Sequence, residues 1–70
     1  AWRERASLAF EEGEYAAARG YLERYHQLTA PERDSLSLAY RIESAAGNTA
    51  AAERLAVRLK KEYGDDASSP

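Results

Sequence analysis

The chain has 70 residues, a formal net charge of −2 and no cysteine. That length holds one small domain, the interleaving of Lys and Arg with Glu argues against a nucleic-acid surface, and without cysteine no disulfide or thiolate–zinc staple supports the core. No apolar run is long enough to cross a bilayer, and the chain opens at Ala1-Trp2 with neither an initiator methionine nor a secretory signal pattern, so it is expected to be a piece of a longer soluble protein.

Trp2, Ala6, Ala9 and Phe10 recur at helical spacing and predict a first helix from the start to Glu12. Gly13 falls where that stripe stops, the place for a residue able to adopt positive φ. A second helix is predicted from Tyr15 to Leu28, with Leu22, Tyr25 and Leu28 facing inward. Ala18, about one turn in, is small enough to let the two helix backbones approach closely. The segment "LTAPERDS" stops and restarts the pattern: Pro31 suits a first helical turn, and Thr29 with Glu32 has capping-box spacing, with either Thr29 or Ala30 as N-cap.

The third helix is predicted from Pro31 to Ala46, with Leu36 in the position that Trp2 holds in the first. Tyr40 and Glu43 fall where a small and a large apolar residue are expected, while Leu38, Ala39 and Ile42 make a better stripe rotated by about 100°. Either this helix is rolled or its register slips by one residue. Gly47 marks a second turn, and the fourth helix is predicted from Thr49 to Tyr63, with Ala52 as its small contact and Leu55, Ala56, Leu59 and Tyr63 facing inward. The one basic run, Arg58 to Lys61, complements the dipole at that helix's C-terminus. The polar ending "GDDASSP", residues 64–70, shows no periodicity and is predicted to be a flexible tail.

The phrases "GEYAAARGYLERY" and "GNTAAAERLAVRL" begin at Gly13 and Gly47, 34 residues apart, and the same offset superimposes Ala16, Ala17, Ala18 and Arg24 on Ala50, Ala51, Ala52 and Arg58. A 34-residue period with small residues after a turn glycine points to tetratricopeptide (TPR) repeats, helix–turn–helix units that stack into a superhelix. The expected fold is all-α: two TPR repeats, about 1–30 and 31–63, forming a fragment of an α-α solenoid. Trp2, Gly13, Tyr15, Ala18, Leu36, Gly47 and Ala52 define the repeat.

The runs "FEEGEYAAARGYLERYHQL", "APERDSLSLAYRIESAAGN" and "AAAERLAVRLKKEYGDD" together resemble the C-terminal repeats of the type IV pilus biogenesis and stability proteins, the pilotin-type TPR lipoproteins of Gram-negative bacteria. The resemblance covers essentially the whole chain, and "SLSLAYRIE" is its most specific part. It departs at Tyr63-Gly64, where a Phe-Pro step would be expected. It implies a periplasmic protein, anchored at the outer membrane through a lipidated N-terminal cysteine absent from this sequence. Such a protein has no catalytic residue and no cofactor, and it assists localisation or assembly of the secretin ring.

A TPR stack has a concave side lined mainly by the first helix of each unit. The 34-residue frame puts Arg3, Ser7, Phe10 and Glu11 there from the first unit, and Asp34, Ser37, Arg41 and Ser44 from the second. Such a mixed-charge groove would suit an extended or helical peptide of a partner protein, a secretin subunit or another pilus-assembly component, with Arg3 and Arg41 pairing to carboxylates. The same residues also fit ordinary solvated surface, with Phe10 packed on a neighbouring repeat and these terminal units serving as a cap. The alternative assignment is a TPR segment of an unrelated scaffold or of a multidomain enzyme.

Catalysis is not expected. His26 is the only histidine, with no cysteine or second histidine to complete a nucleophile pair or a metal site, and Glu11, Glu12 and Glu14 bracket a turn glycine. Of the tyrosines, Tyr25 and Tyr63 belong to inward stripes, and Tyr21 is the one expected to face outward. Because two repeats are fewer than such arrays usually need, the chain is expected to self-associate through its first helix, near Trp2 and Phe10, or to swap helices between copies.

Overall fold

The computed structural model describes residues 1–64, which form four helices: α1 (Trp2–Glu11), α2 (Tyr15–Leu28), α3 (Arg33–Ala45) and α4 (Thr49–Glu62). The protein is all-α, as the periodicity predicts. The polar ending lies, from residue 65 on, outside the described residues.

Two turns of the same construction make two helical hairpins. Gly13 has φ +80° and Gly47 φ +85°. At the first turn the Gly13 N–H donates to the Phe10 carbonyl (3.0 Å) and the Glu14 N–H to the Ala9 carbonyl (2.8 Å); at the second, Gly47 donates to Ser44 (3.2 Å) and Asn48 to Glu43 (2.8 Å). This is the Schellman arrangement, which satisfies the last carbonyls of the outgoing helix through one left-handed residue. Glu14 and Asn48 then serve at once as N-caps of the next helices, accepting from Ala18 and Ala52 at 2.9 Å. The bonds correspond residue for residue at the 34-residue offset, so the register does not slip between the two hairpins.

Helix α1 packs on α2, and α3 on α4; the hairpins meet because α3 lies against both α2 and α1, while α4 contacts α3 alone among the described elements. Ala6 and Ala18 are both fully buried, which lets the backbones of α1 and α2 come close, and Ala52 does the same for the second hairpin at 6% exposure. Leu22, Leu38 and Ile42 join Ala6, Ala9 and Ala18 in one buried cluster, with Phe10, Tyr21, Tyr25 and Ala39 packed around it. Trp2 is half-buried, its ring 6.0 Å from that of Tyr21 and flanked by the Arg5 and Arg24 guanidiniums, each 5.5 Å from it.

The open question about the third helix resolves as a roll. With the turn in register, Leu38 and Ile42 form a stripe aimed at the preceding hairpin, a neighbour that α1 lacks, while Tyr40 is exposed and Glu43 turns to α2. Other expectations are corrected. Leu28 faces solvent rather than the core, because α2 is four residues longer than α1 and its last turn runs past its partner. Ala56 is exposed. Tyr21 is half-buried against Trp2, and Tyr40 is the exposed tyrosine. Pro31 precedes α3 instead of lying in its first turn: Thr29 is the C-cap of α2, and the N-cap of α3 is Glu32, whose N–H donates to Ser35 Oγ at 2.9 Å.

The glycines separate two effects. A Cβ at Gly13, Gly20 or Gly47 would meet nothing within 4 Å, so only backbone preference decides the outcome. Gly13→Ala is expected to destabilise by about 1 kcal/mol through its left-handed φ, whereas Gly20→Ala, exposed within α2, should stabilise by about 0.5–1 kcal/mol. Urea unfolding of the two variants checks the opposite signs.

Candidate functional site

A trough of about 330 Å³ opens between α1 and α3, walled by Arg3, Glu4 and Ser7 on one side and Asp34, Ser37 and Arg41 on the other, with Leu38 in its floor. The helical spacing of each triplet puts its members on one face, and the contact of α3 with α1 sets the two faces side by side. Of the residues the repeat frame assigns to a concave side, the fold thus brings together Arg3, Ser7, Asp34, Ser37 and Arg41. Phe10 adjoins them through Arg41, whose guanidinium lies 5.1 Å from its ring. Glu11 and Ser44 are exposed at the turn ends of their helices and do not line the trough. Glu4 and Leu38 line it without having been expected to; Leu38 belonged to the rotated stripe, which was the available signal.

The two arginines are in different electrostatic states. Arg3 is neutralised, 3.0 Å from Glu32 and 3.8 Å from Asp34, with its guanidinium 5.9 Å from the Tyr25 ring. Arg41 makes no ion pair among the described residues and is exposed. Steadied over an aromatic face, it is the free cation of the trough.

Behind the trough, polar groups tie the hairpins together at both edges of the α2–α3 contact. At one edge Glu32 accepts from Arg3 of α1 and from the Tyr25 hydroxyl of α2. The bond to Glu32 holds the Tyr25 pKa above its ordinary value, and burial adds to the effect. Ser35, fully buried, bonds the Glu32 backbone through its hydroxyl, to the carbonyl at 3.0 Å and from the N–H at 2.9 Å, and its Oγ also lies 2.9 Å from His26 Nε2. The His26 pKa is pushed down by burial first and by the charge of Arg58 second, with Glu32 opposing. A serine–histidine contact would ordinarily invite comparison with a nucleophile and its base, but this Ser35 Oγ is sealed inside the joint and engaged in capping α3.

At the other edge Arg19 of α2 grips Glu43 of α3 with two bonds, Nε–Oε2 at 2.9 Å and Nη2–Oε1 at 2.7 Å, and Asn48 adds a third to Oε1 at 2.7 Å. The Arg19 bond, reinforced by Asn48, holds the Glu43 carboxyl below the usual carboxylate range, and the same pairing raises Arg19. The Arg3–Glu32 and Arg19–Glu43 pairings were not legible from periodicity, since residues 29 or 24 apart carry no local signal of contact. Among the described residues no group of three or more His, Cys, Asp or Glu side chains is placed to hold a metal ion.

Compared with protein-family models, with curated proteins and with solved structures, the chain matches none of them. The geometry of its own residues is what bears on function.

The histidine makes the joint acid-sensitive. Its folded-state pKa lies below the unfolded value of about 6.5, so its neutral form is the one the fold favours; that stabilisation is complete above pH ~6.5 and is lost as pH falls through the depressed value. Glu43 acts with the same sign lower down, in the carboxylate range. Urea midpoints should fall between pH 7.5 and 5.5, and His26→Gln, which keeps a hydrogen-bonding group beside Ser35, should remove most of that fall; an undiminished fall in the variant would show that His26 is not its source.

Proposed function

We propose that the chain is a non-catalytic protein–protein interaction module, two TPR hairpins of a periplasmic, outer-membrane-associated factor that assists localisation or assembly of the type IV pilus secretin. The observation that carries this reading is the placement of the block "SLSLAYRIE", residues 35–43, the part of the sequence most specific to the resembled family. Its Ser37, Leu38 and Arg41 line the trough, while Ser35, Ile42 and Glu43 form the joint that holds the trough's two walls in place. Support for the TPR assignment comes from the matching turns and from the way α3 sits against both helices of the preceding hairpin.

A trough with one uncompensated guanidinium, two serine hydroxyls and an adjoining aromatic ring suits a polypeptide segment that supplies a carboxylate to Arg41 and hydrogen bonds to Ser7 and Ser37. The chain itself contributes shape and charge rather than bond-making chemistry.

The test is a titration of labelled chain with the purified secretin subunit of the same source. Arg41→Glu, an exposed substitution, should weaken binding by about tenfold or more without changing helicity, since it replaces a charge-assisted bond by like-charge repulsion. Equal binding by the variant would remove the trough from the proposal. No binding by either protein would remove the secretin and favour a TPR segment of an unrelated scaffold or multidomain enzyme.

A further inference from the structure

The 34-residue offset that relates the two turns also relates two faces of the molecule, one covered and one open. At the joint, a depression of about 200 Å³ runs between α2 and α4, and its α3–α4 wall includes Ala39, Ile42, Glu43 and Leu55. One repeat earlier stand Arg5, Leu8, Ala9 and Tyr21, and these four line an open depression on the outer side of the first hairpin. The first hairpin therefore carries the same receiving face as the second. On the second, helix α2 is seated, presenting Arg19, Leu22, Glu23 and His26. On the first, no described residue is seated: Leu8 is 56% exposed where its counterpart Ile42 is 1% exposed.

Among the described helices, the one that corresponds to α2 at the 34-residue offset is α4. One repeat after Arg19, Leu22, Glu23 and His26 come Glu53, Ala56, Val57 and Lys60 of α4, all exposed, with Val57 at 65%. Carrying the Arg19–Glu43 pairing forward by one repeat would set Glu53 over Ala9, one helical turn from Arg5 on the same face. Both Glu53 and Arg5 lack an ion-pair partner among the described residues. Leu22 and Ile42 share the buried cluster, and their counterparts are Ala56 and Leu8. Glu23 and Leu55 flank the same depression, and their counterparts are Val57 and Tyr21. Glu23–Leu55 becomes the apolar pair Val57–Tyr21, Leu22–Ile42 stays apolar as Ala56–Leu8, and the Arg19–Glu43 fork is replaced by Glu53 beside Ala9, with Arg5 one turn away to take its charge.

We infer that the open face of α1 and α2 takes a second copy of this chain, head to tail, with Val57 of one copy against Tyr21 of the next and Glu53 beside Arg5. Because the two contacting patches differ, the contact is heterologous, and a dimer keeps one unused face of each kind through which assembly continues. The inference concerns a surface separate from the trough, and it is read on the chain by itself, so its outcome does not depend on whether a secretin binds.

Sedimentation velocity over rising concentration, with helicity checked by circular dichroism, tests it. Leu8→Lys blocks the receiving face and Val57→Lys the inserting one, and both positions are exposed enough to leave the fold intact. Wild-type chain should assemble with concentration, and each variant alone should weaken that assembly by about tenfold or more through the charge placed in the contact. Mixed, the two variants should form heterodimers that grow no further, since one good receiving face meets one good inserting face. As a second pair, Arg5→Glu should weaken assembly and Glu53→Arg in the same chain should restore it. Wild-type chain that stays monomeric, Val57→Lys that assembles like wild type, or single variants that fail to pair when mixed would each overturn the inference.

Discussion

The contact between α2 and α3 is the constraint on which everything else in this molecule depends. Each hairpin is closed locally by a glycine turn, but a lone hairpin of these lengths buries little beyond a few alanines. Only when Ile42 and Leu38 enter the cluster of Leu22, Ala18, Ala6 and Ala9 does one core span both hairpins. Apolar burial is non-directional, and it would tolerate a range of crossing angles. The two polar clamps at the edges narrow that range. Glu32 receives donors from α1 and α2 at one edge, and Arg19 takes Glu43 through a two-bond fork at the other. A fork of that kind fixes orientation as well as distance.

That division of labour explains how a trough of defined width survives on a core so poor in large side chains. The trough's walls belong to different hairpins, so its width is set by the joint and by nothing local. Alanine at 6, 9 and 18 supplies close approach rather than large burial. Aromatic rings and arginine stems cover the periphery instead: Trp2 stacks on Tyr21 under Arg5 and Arg24, and Phe10 meets Tyr15 at 5.8 Å beneath Arg41. The arginine that closes the apolar edge of the core is thus the same one that stands free at the trough.

How much of this the sequence discloses depends on how local each cause is. Turn glycines act through their own φ, and helix stripes repeat within a few residues, so the span Tyr15–Leu28 and both Schellman turns were legible. Leu28 was misplaced because periodicity says which face a residue occupies and not whether the neighbouring helix extends far enough to cover it. The start of α3 was misplaced because Thr29 and Glu32 have the right spacing for a capping box, yet Ala30, preceding a proline, is disfavoured in helical conformation and Ser35 offers a buried hydroxyl to Glu32 instead. The roll of α3 was visible as a mismatch, but its cause, a second neighbour, exists only in three dimensions. The trough was partly legible because a repeat frame carries information about faces across 34 residues. Its clamps were not, because they join residues that no period relates.

The arrangement of α3 has a further consequence for how such a surface can change. Asp34, Ser37 and Arg41 occupy one stripe and Ser35 and Ile42 the next, with Leu38 shared between the trough's floor and the core. A substitution at 37 or 41 alters what the trough presents while the joint keeps its geometry, whereas a substitution at 35 or 42 disturbs both. Leu38 is the single point at which shape of the trough and stability of the joint cannot be varied separately. The lining of the trough and the packing of the joint therefore lie on adjacent faces of one helix, and the phase of that helix, fixed by Gly47 and its two turn bonds, keeps them distinct.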